Sequence, residues 1–142
     1  MFMNQTKELG ISIEKIFLVK SEVEFVSATA DRTYHLELTA FSKAIEDDGK
    51  KLVVNAGFDL MSGIEKPMFR FTARYVAIYT KAEGNETAWN DFSDGNALSH
   101  IVPYLREYVS NVTMRMPIAP LYLRPLNCYA LVDAFTARRN NA

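Results

Sequence analysis

The chain has 142 residues, of which 49% are hydrophobic and 23% charged, with a formal net charge of −1. That length fits one domain able to bury a core, and the near-neutral balance offers neither the basic field that draws nucleic acid nor an acidic excess for a polycation. A single cysteine excludes an internal disulfide and a CxxC metal pair, and no run reaches the ~20 apolar residues of a membrane-spanning helix.

The opening "MFMNQTKELG" has no apolar signal-peptide core, so a cytoplasmic location is expected. In that compartment the N-x-T triplets at Asn85 and Asn111 are chance matches. The whole chain, 1–142, reads as one domain with residues 1–10 and 139–142 loose. "ISIEKIFLVK" (11–20) alternates and then turns wholly apolar, which predicts a strand with a bulge, continued by "EVEFV". "SATADRT" (27–33) is a polar crossover.

"YHLELTAFSKAI" (34–45) places Tyr34, Leu36, Leu38 and Ala40 on one face of a second strand. Asp48-Gly49 then signals a hairpin, because both residues tolerate positive φ. A third strand follows over 51–61, with Leu52, Val54, Ala56, Phe58 and Leu60 on a shared side. The fourth, over 68–81, sets Phe69, Phe71, Ala73, Tyr75, Ala77 and Tyr79 inward. Its other face begins as Arg70, Thr72 and Arg74 but becomes Val76 and Ile78, so its far end is expected to meet a helix or another subunit.

Residues 82–96 form a polar connection holding Trp89 and Phe92, with room for one short helical turn. From Ala97 the period becomes helical: Leu98, Ile101, Val102, Leu105, Val109 and Val112 recur at steps of three and four. Ser99 is read as the N-cap, which puts Pro103 in the first turn, and the helix is expected to stop after about Met116. Pro125 opens a second helix with Leu126, Ala130, Leu131, Ala134 and Phe135 inward and Arg138-Arg139 near its negative end. Strands first and helices second predict an α+β fold: a four-stranded antiparallel sheet followed by two helices packed on one face.

No constellation anchors an enzyme. His35 and His100 lack a second His or Cys at ligand spacing, and Cys128 on an apolar helix lacks a base, so neither a metal nor a cofactor is expected. The carboxylates Glu83, Glu86, Asp91 and Asp94 miss the calcium-loop spacing and read as a solvated loop. Arg70 and Arg74 read as a solvated strand face. In contrast, seven Tyr and nine Phe exceed what one sheet-and-helix core needs. An oligomer interface and a binding groove account for that excess equally well.

"PYLREYVSNVTMRMPIAPLYLRPLNCYALV" (103–132) resembles the C-terminal half of the SecB export chaperones and their toxin-antitoxin-associated relatives. The matching positions are Pro103, Tyr104, Arg106, Glu107, Pro117, Leu121, Leu123, Pro125 and Asn127, and "ISIEKIF" with "EVEF" looks like the family's first strand. The resemblance implies an ATP-independent holdase, a homotetramer built as a dimer of dimers that binds non-native polypeptides in apolar grooves. It also implies a role in export through the SecA motor or, as the alternative, protection of an antitoxin; a purely structural oligomer is the third reading. Glu22 matches an acidic motor-docking position, whereas Val26 and Arg70 stand where that pattern has acid. Phe17, Tyr34, Leu36, Tyr122, Leu126, Tyr129 and Leu131 are the groove candidates, and Val76, Ile78, Leu98, Ile101, Leu105 and Val109 the assembly candidates. Pro117, Pro120 and Pro125 would then fix the second helix beside the sheet and hold the groove open.

Overall fold

Period-two alternation dominates the first half of the chain, and it builds a sheet. In the computed structural model, which describes residues 10–28, 33–63, 66–82 and 88–141, strands β1 (Ile11–Phe25), β2 (Tyr34–Glu46), β3 (Lys51–Ser62) and β4 (Phe69–Lys81) pair antiparallel in the order β1-β4-β3-β2. Three helices follow among the described residues: α1 (Ala88–Asp91), α2 (Asp94–Thr113) and α3 (Cys128–Asn140). The expected α+β class, an antiparallel four-stranded sheet followed by helices, is the fold observed. Residues 1–9, expected to be loose, and 29–32 of the crossover lie outside the described residues.

β1 carries two bulges, at Glu14 and Val19. Each extra residue resets the alternation, which is why Ile16 to Val19 can be apolar without a break: Ile16 and Leu18 face the helices, and Phe17 faces the other way beside Val76. A third bulge, at Thr39 of β2, corrects one expected face. It moves Ala40 off the inner side, opposite Gly57, and brings Phe41 inward in its place. The β2–β3 hairpin turns through Asp47, Asp48 and Gly49, at φ of 52°, 53° and 86°. Trp89 Nε1 donates to the carbonyl of Gly49 at 2.7 Å, tying α1 to that turn.

α2 lies on β3 and β4. Its stripe of Leu98, Ile101, Leu105 and Val109 is fully buried against Phe58, Phe71, Ala77 and their neighbours. Its cap is Ser93, whose hydroxyl accepts the N–H of Asn96 at 3.1 Å, and not Ser99. The polar first turn, Asp94-Gly95-Asn96, hides this start from an apolar-period count. Pro103 consequently falls in the helix interior, and the helix ends at Thr113, three residues before the expected stop.

α3 is capped by Asn127, whose side chain accepts from Ala130 N at 3.1 Å; Pro125 belongs to the extended link ahead of the cap, not to the first turn. α3 packs on α2 and on β2. Its buried side differs from the expected one: Cys128 is buried, Leu131, Val132 and Phe135 are half-buried, and Ala130 and Ala134 are exposed. Arg139 and Asn140, expected to be loose, form its last turn.

Candidate functional site

After α2 the chain turns over residues 114–118 and then runs on without helix or strand to Asn127, and three hydrogen bonds pin this segment. Thr113 Oγ1 accepts the N–H of Leu121 at 2.8 Å. Arg106 Nε donates to the carbonyl of Leu123 at 3.2 Å. The N–H of Arg124 donates to the Tyr34 hydroxyl at 3.0 Å. Between these points the side chains alternate: Leu121 and Leu123 are buried, and Tyr122 is 70% exposed. The prolines restrict φ along this stretch, so the link spans from α2 to β2 as a stiff strap.

An open cleft of about 620 Å³ lies between the strap, α3 and β2, lined by Thr33, Tyr34, Leu36, Arg124, Leu126 and Leu131. Among the described lining residues four of six are apolar or aromatic, and Arg124 is charged. One wall is β2, which among the described residues pairs with β3 alone and so is an outer strand of the sheet. Beyond the cleft α3 closes down on that strand: Arg138 Nη2 donates to the carbonyl of Leu38 at 2.5 Å, and Arg138 Nη1 lies 3.8 Å from Glu37.

Of the seven groove candidates, the structure brings together Tyr34, Leu36, Leu126 and Leu131. Tyr122 projects outward from the strap. Tyr129 packs at the start of α2, with its hydroxyl 3.1 Å from Ser93 Oγ. Phe17 lies at the other end of the sheet order, in a smaller hollow with Ile16, Leu18, Tyr75, Tyr104 and Tyr108. Sequence reasoning missed Arg124 as a lining residue, and it read Arg138 only as a complement to the helix dipole. The alternation Leu121-Tyr122-Leu123-Arg124 carried the signal for the first. Nothing local carried one for the second, because its partner is one hundred residues away.

The assembly candidates divide. Leu98, Ile101, Leu105 and Val109 lie in this chain's own core, fully buried beneath β3 and β4. Val76 and Ile78 are half-buried on the opposite face of the sheet, next to Phe17 and Val53. β1, the other outer strand, exposes Ile13, Leu18, Val19, Val23 and Phe25. Glu22 is exposed and paired with Lys20 at 3.4 Å.

Two of the polar groups singled out in the sequence, His100 and Asp94, have structural partners. His100 Nδ1 lies 2.9 Å from the Tyr79 hydroxyl, stacked on Phe92, and burial lowers its pKa from the ordinary histidine value. Burial raises the Tyr79 phenol and the Cys128 thiol alike, which holds the thiol in its unreactive protonated form. Asp94 pairs with Lys43 at 2.5 Å, and Glu83 and Glu86 lie outside the described residues.

No protein-family model matches the sequence, and no curated protein matches it. Among solved structures the chain is similar to the SecB-like chaperone Rv1957 of Mycobacterium tuberculosis, solved with a ChAD peptide from the HigA1 antitoxin. The TM-score is 0.65 at 22% identity, over 87% of this chain and 96% of that one. A protein of unknown function from Streptococcus agalactiae aligns at a TM-score of 0.46 and 12% identity, over 81% of this chain and 97% of that one, too weakly to carry an argument. The fold is therefore that of a SecB-like chaperone. Among the described residues no helix is long and apolar enough to cross a membrane.

Proposed function

We propose that this chain, which has the SecB-like fold, is an ATP-independent holdase that keeps an apolar segment of a non-native polypeptide in the cleft between β2 and the proline strap. The cleft carries the reading. Tyr34, Leu36, Leu126 and Leu131 stand together around an open space large enough for several side chains. Fully burying one large client side chain there is worth about 1.5–3 kcal/mol. A strap fixed at Thr113, Arg106 and Tyr34 keeps that space from closing when no client is present.

An antitoxin is the favoured client. The M. tuberculosis SecB-like chaperone was solved with an antitoxin peptide, and the motor-docking pattern is thin in this chain, with Glu22 paired to Lys20 and Arg70 where acid is expected. Export is the second reading. Self-assembly to a cytoplasmic homotetramer goes with either, using the exposed residues of β1 together with Val76 and Ile78.

The test is aggregation of a slow-folding polypeptide diluted from denaturant without ATP. Suppression that saturates near one tetramer per client is expected. A well-folded oligomer that suppresses nothing would overturn the reading and leave a structural role. Titration with the SecA motor separates the client roles, since saturable binding would favour export.

A further inference from the structure

Two hydrogen bonds fix the direction of the backbone groups along the cleft wall. The carbonyl of Thr33 accepts the N–H of Gly63 at 2.8 Å, so Thr33 is turned toward β3. The carbonyl of Leu38 accepts from Arg138, on the opposite side. In an antiparallel strand, alternate residues direct both backbone polar groups to the same side. Counting between the two anchors, His35 and Glu37 serve β3, whereas Tyr34 and Leu36 turn their N–H and C=O groups toward the cleft. The wall is thus more than an apolar surface: it is a short length of strand edge.

We propose that the client enters as an added strand on β2 at Tyr34 and Leu36, with apolar residues two apart resting on Leu126 and Leu131 and an acidic residue meeting Arg124, and that Arg138 ends the usable edge at Leu38. This rests on the holdase reading above and specifies the segment held. A row of strand donors and acceptors is matched by another extended backbone, which gains affinity without regard to sequence. Side chains two apart on that backbone fall on one face, so the apolar floor selects an alternating segment over a helical one. Among the described residues Arg124 is the charged side chain that lines the cleft, and it adds a preference for a carboxylate. The edge from Thr33 to Leu38 spans about 17 Å at ~3.3 Å per residue, enough for a segment of about six residues. Arg138, held by Glu37 on one side and by the Leu38 carbonyl on the other, keeps the rest of β2 from recruiting further chain.

The experiment is fluorescence anisotropy on the full chain with a labelled Thr-Leu-Thr-Leu-Thr-Asp peptide and two sets of backbone N-methylated versions, at the leucines or at the threonines. One set faces β2 and the other faces away. Methylation of one set is expected to weaken binding at least tenfold and of the other less than twofold; equal effects at both, or none at either, overturn strand addition. In Arg138→Ala, a peptide lengthened by Leu-Thr should bind at least threefold tighter than the six-residue peptide, with no such gain in the parent protein. Arg124→Glu should reverse the preference between peptides ending in Asp and in Lys. Aggregation suppression is measured on the same samples. Suppression that persists with parity-independent peptide binding, or with none, overturns the added strand alone and leaves the edge to a second copy of the chain. Loss of suppression together with peptide binding in the folded parent protein removes the holdase reading and this proposal with it.

Discussion

The Thr113 hydroxyl receives the N–H of Leu121 at 2.8 Å while donating to the carbonyl of Val109 at 2.8 Å, and so joins the end of α2 to the strap. Both residues are buried. Thr113→Val keeps the shape but strands the Leu121 N–H away from water. An orphaned buried donor costs about 1–3 kcal/mol, and for a chain of this size each kcal/mol moves Tm by about 3–4 °C. Thermal unfolding should show a Tm lower by roughly 3–12 °C, and suppression of aggregation should weaken as the strap loosens.

Gly95 sets how closely α2 and α3 approach. A Cβ at this position would fall 2.4 Å from a ring carbon of Tyr129. Gly95→Ala is therefore expected to destabilise by about 1–3 kcal/mol, as overpacking does. In a Tyr129→Ala background the same change should turn favourable by up to about 1 kcal/mol, because alanine is the better helix former. Urea denaturation of the four proteins in this cycle measures both numbers.

Cleft and core should part company under substitution. Leu126→Ser and Leu131→Ser alter half-buried side chains lining the cleft. They are expected to abolish most client protection while lowering stability by no more than about 1–2 kcal/mol, the transfer cost of a partly buried side chain. Leu105→Ala, wholly inside the core, should cost about 2–5 kcal/mol, yet leave protection intact at temperatures where the variant is folded. Paired urea titrations and aggregation assays test the separation.

The strap's stiffness makes a further expectation. Pro120→Ala with Pro125→Ala frees two φ angles in the segment that holds the cleft open. Client protection should fall with little change in the content of secondary structure by circular dichroism. Unchanged protection would mean that the three hydrogen bonds alone position the strap.

Acid should weaken the fold through His100. Burial depresses its folded-state pKa, so above about pH 6.5 the ring is neutral in both states and contributes no pH dependence. Below that point the unfolded chain takes up a proton that the folded chain resists, and stability declines until the folded pKa is reached. The Tm of the parent protein should drop more between pH 7 and pH 5 than that of His100→Gln.

The sheet was legible because its alternation is strong: Leu52 to Leu60 and Phe69 to Tyr79 match their buried faces residue for residue. What escaped was set by contacts distant in sequence. Ala40 alternates correctly on paper, but the bulge at Thr39 turns it away. Leu98, Ile101, Leu105 and Val109 show a helix face plainly without saying that it covers their own sheet. Of the described cleft residues, Tyr34 and Leu36 were visible on the second strand, Leu126 beside Pro125 and Leu131 on the second helix. The contact of Arg138 with the Leu38 carbonyl joins residues one hundred apart in sequence, and no local pattern records that pairing.

The sheet order also sets a timetable. β1 is synthesised well before its partner β4, and Ile11 must wait for Lys81 before that ladder is complete. Pairings this distant form slowly. Until then a fifteen-residue strand with Ile, Leu, Val and Phe on both faces is unshielded in the growing chain, the condition that leads to aggregation. Glu14, Lys15, Lys20, Glu22 and Glu24 interrupt that stretch, and charges so placed keep nascent strands from sticking to one another. A chain read as a guardian of others thus carries, within its own β1, the gatekeepers it needs until β4 arrives.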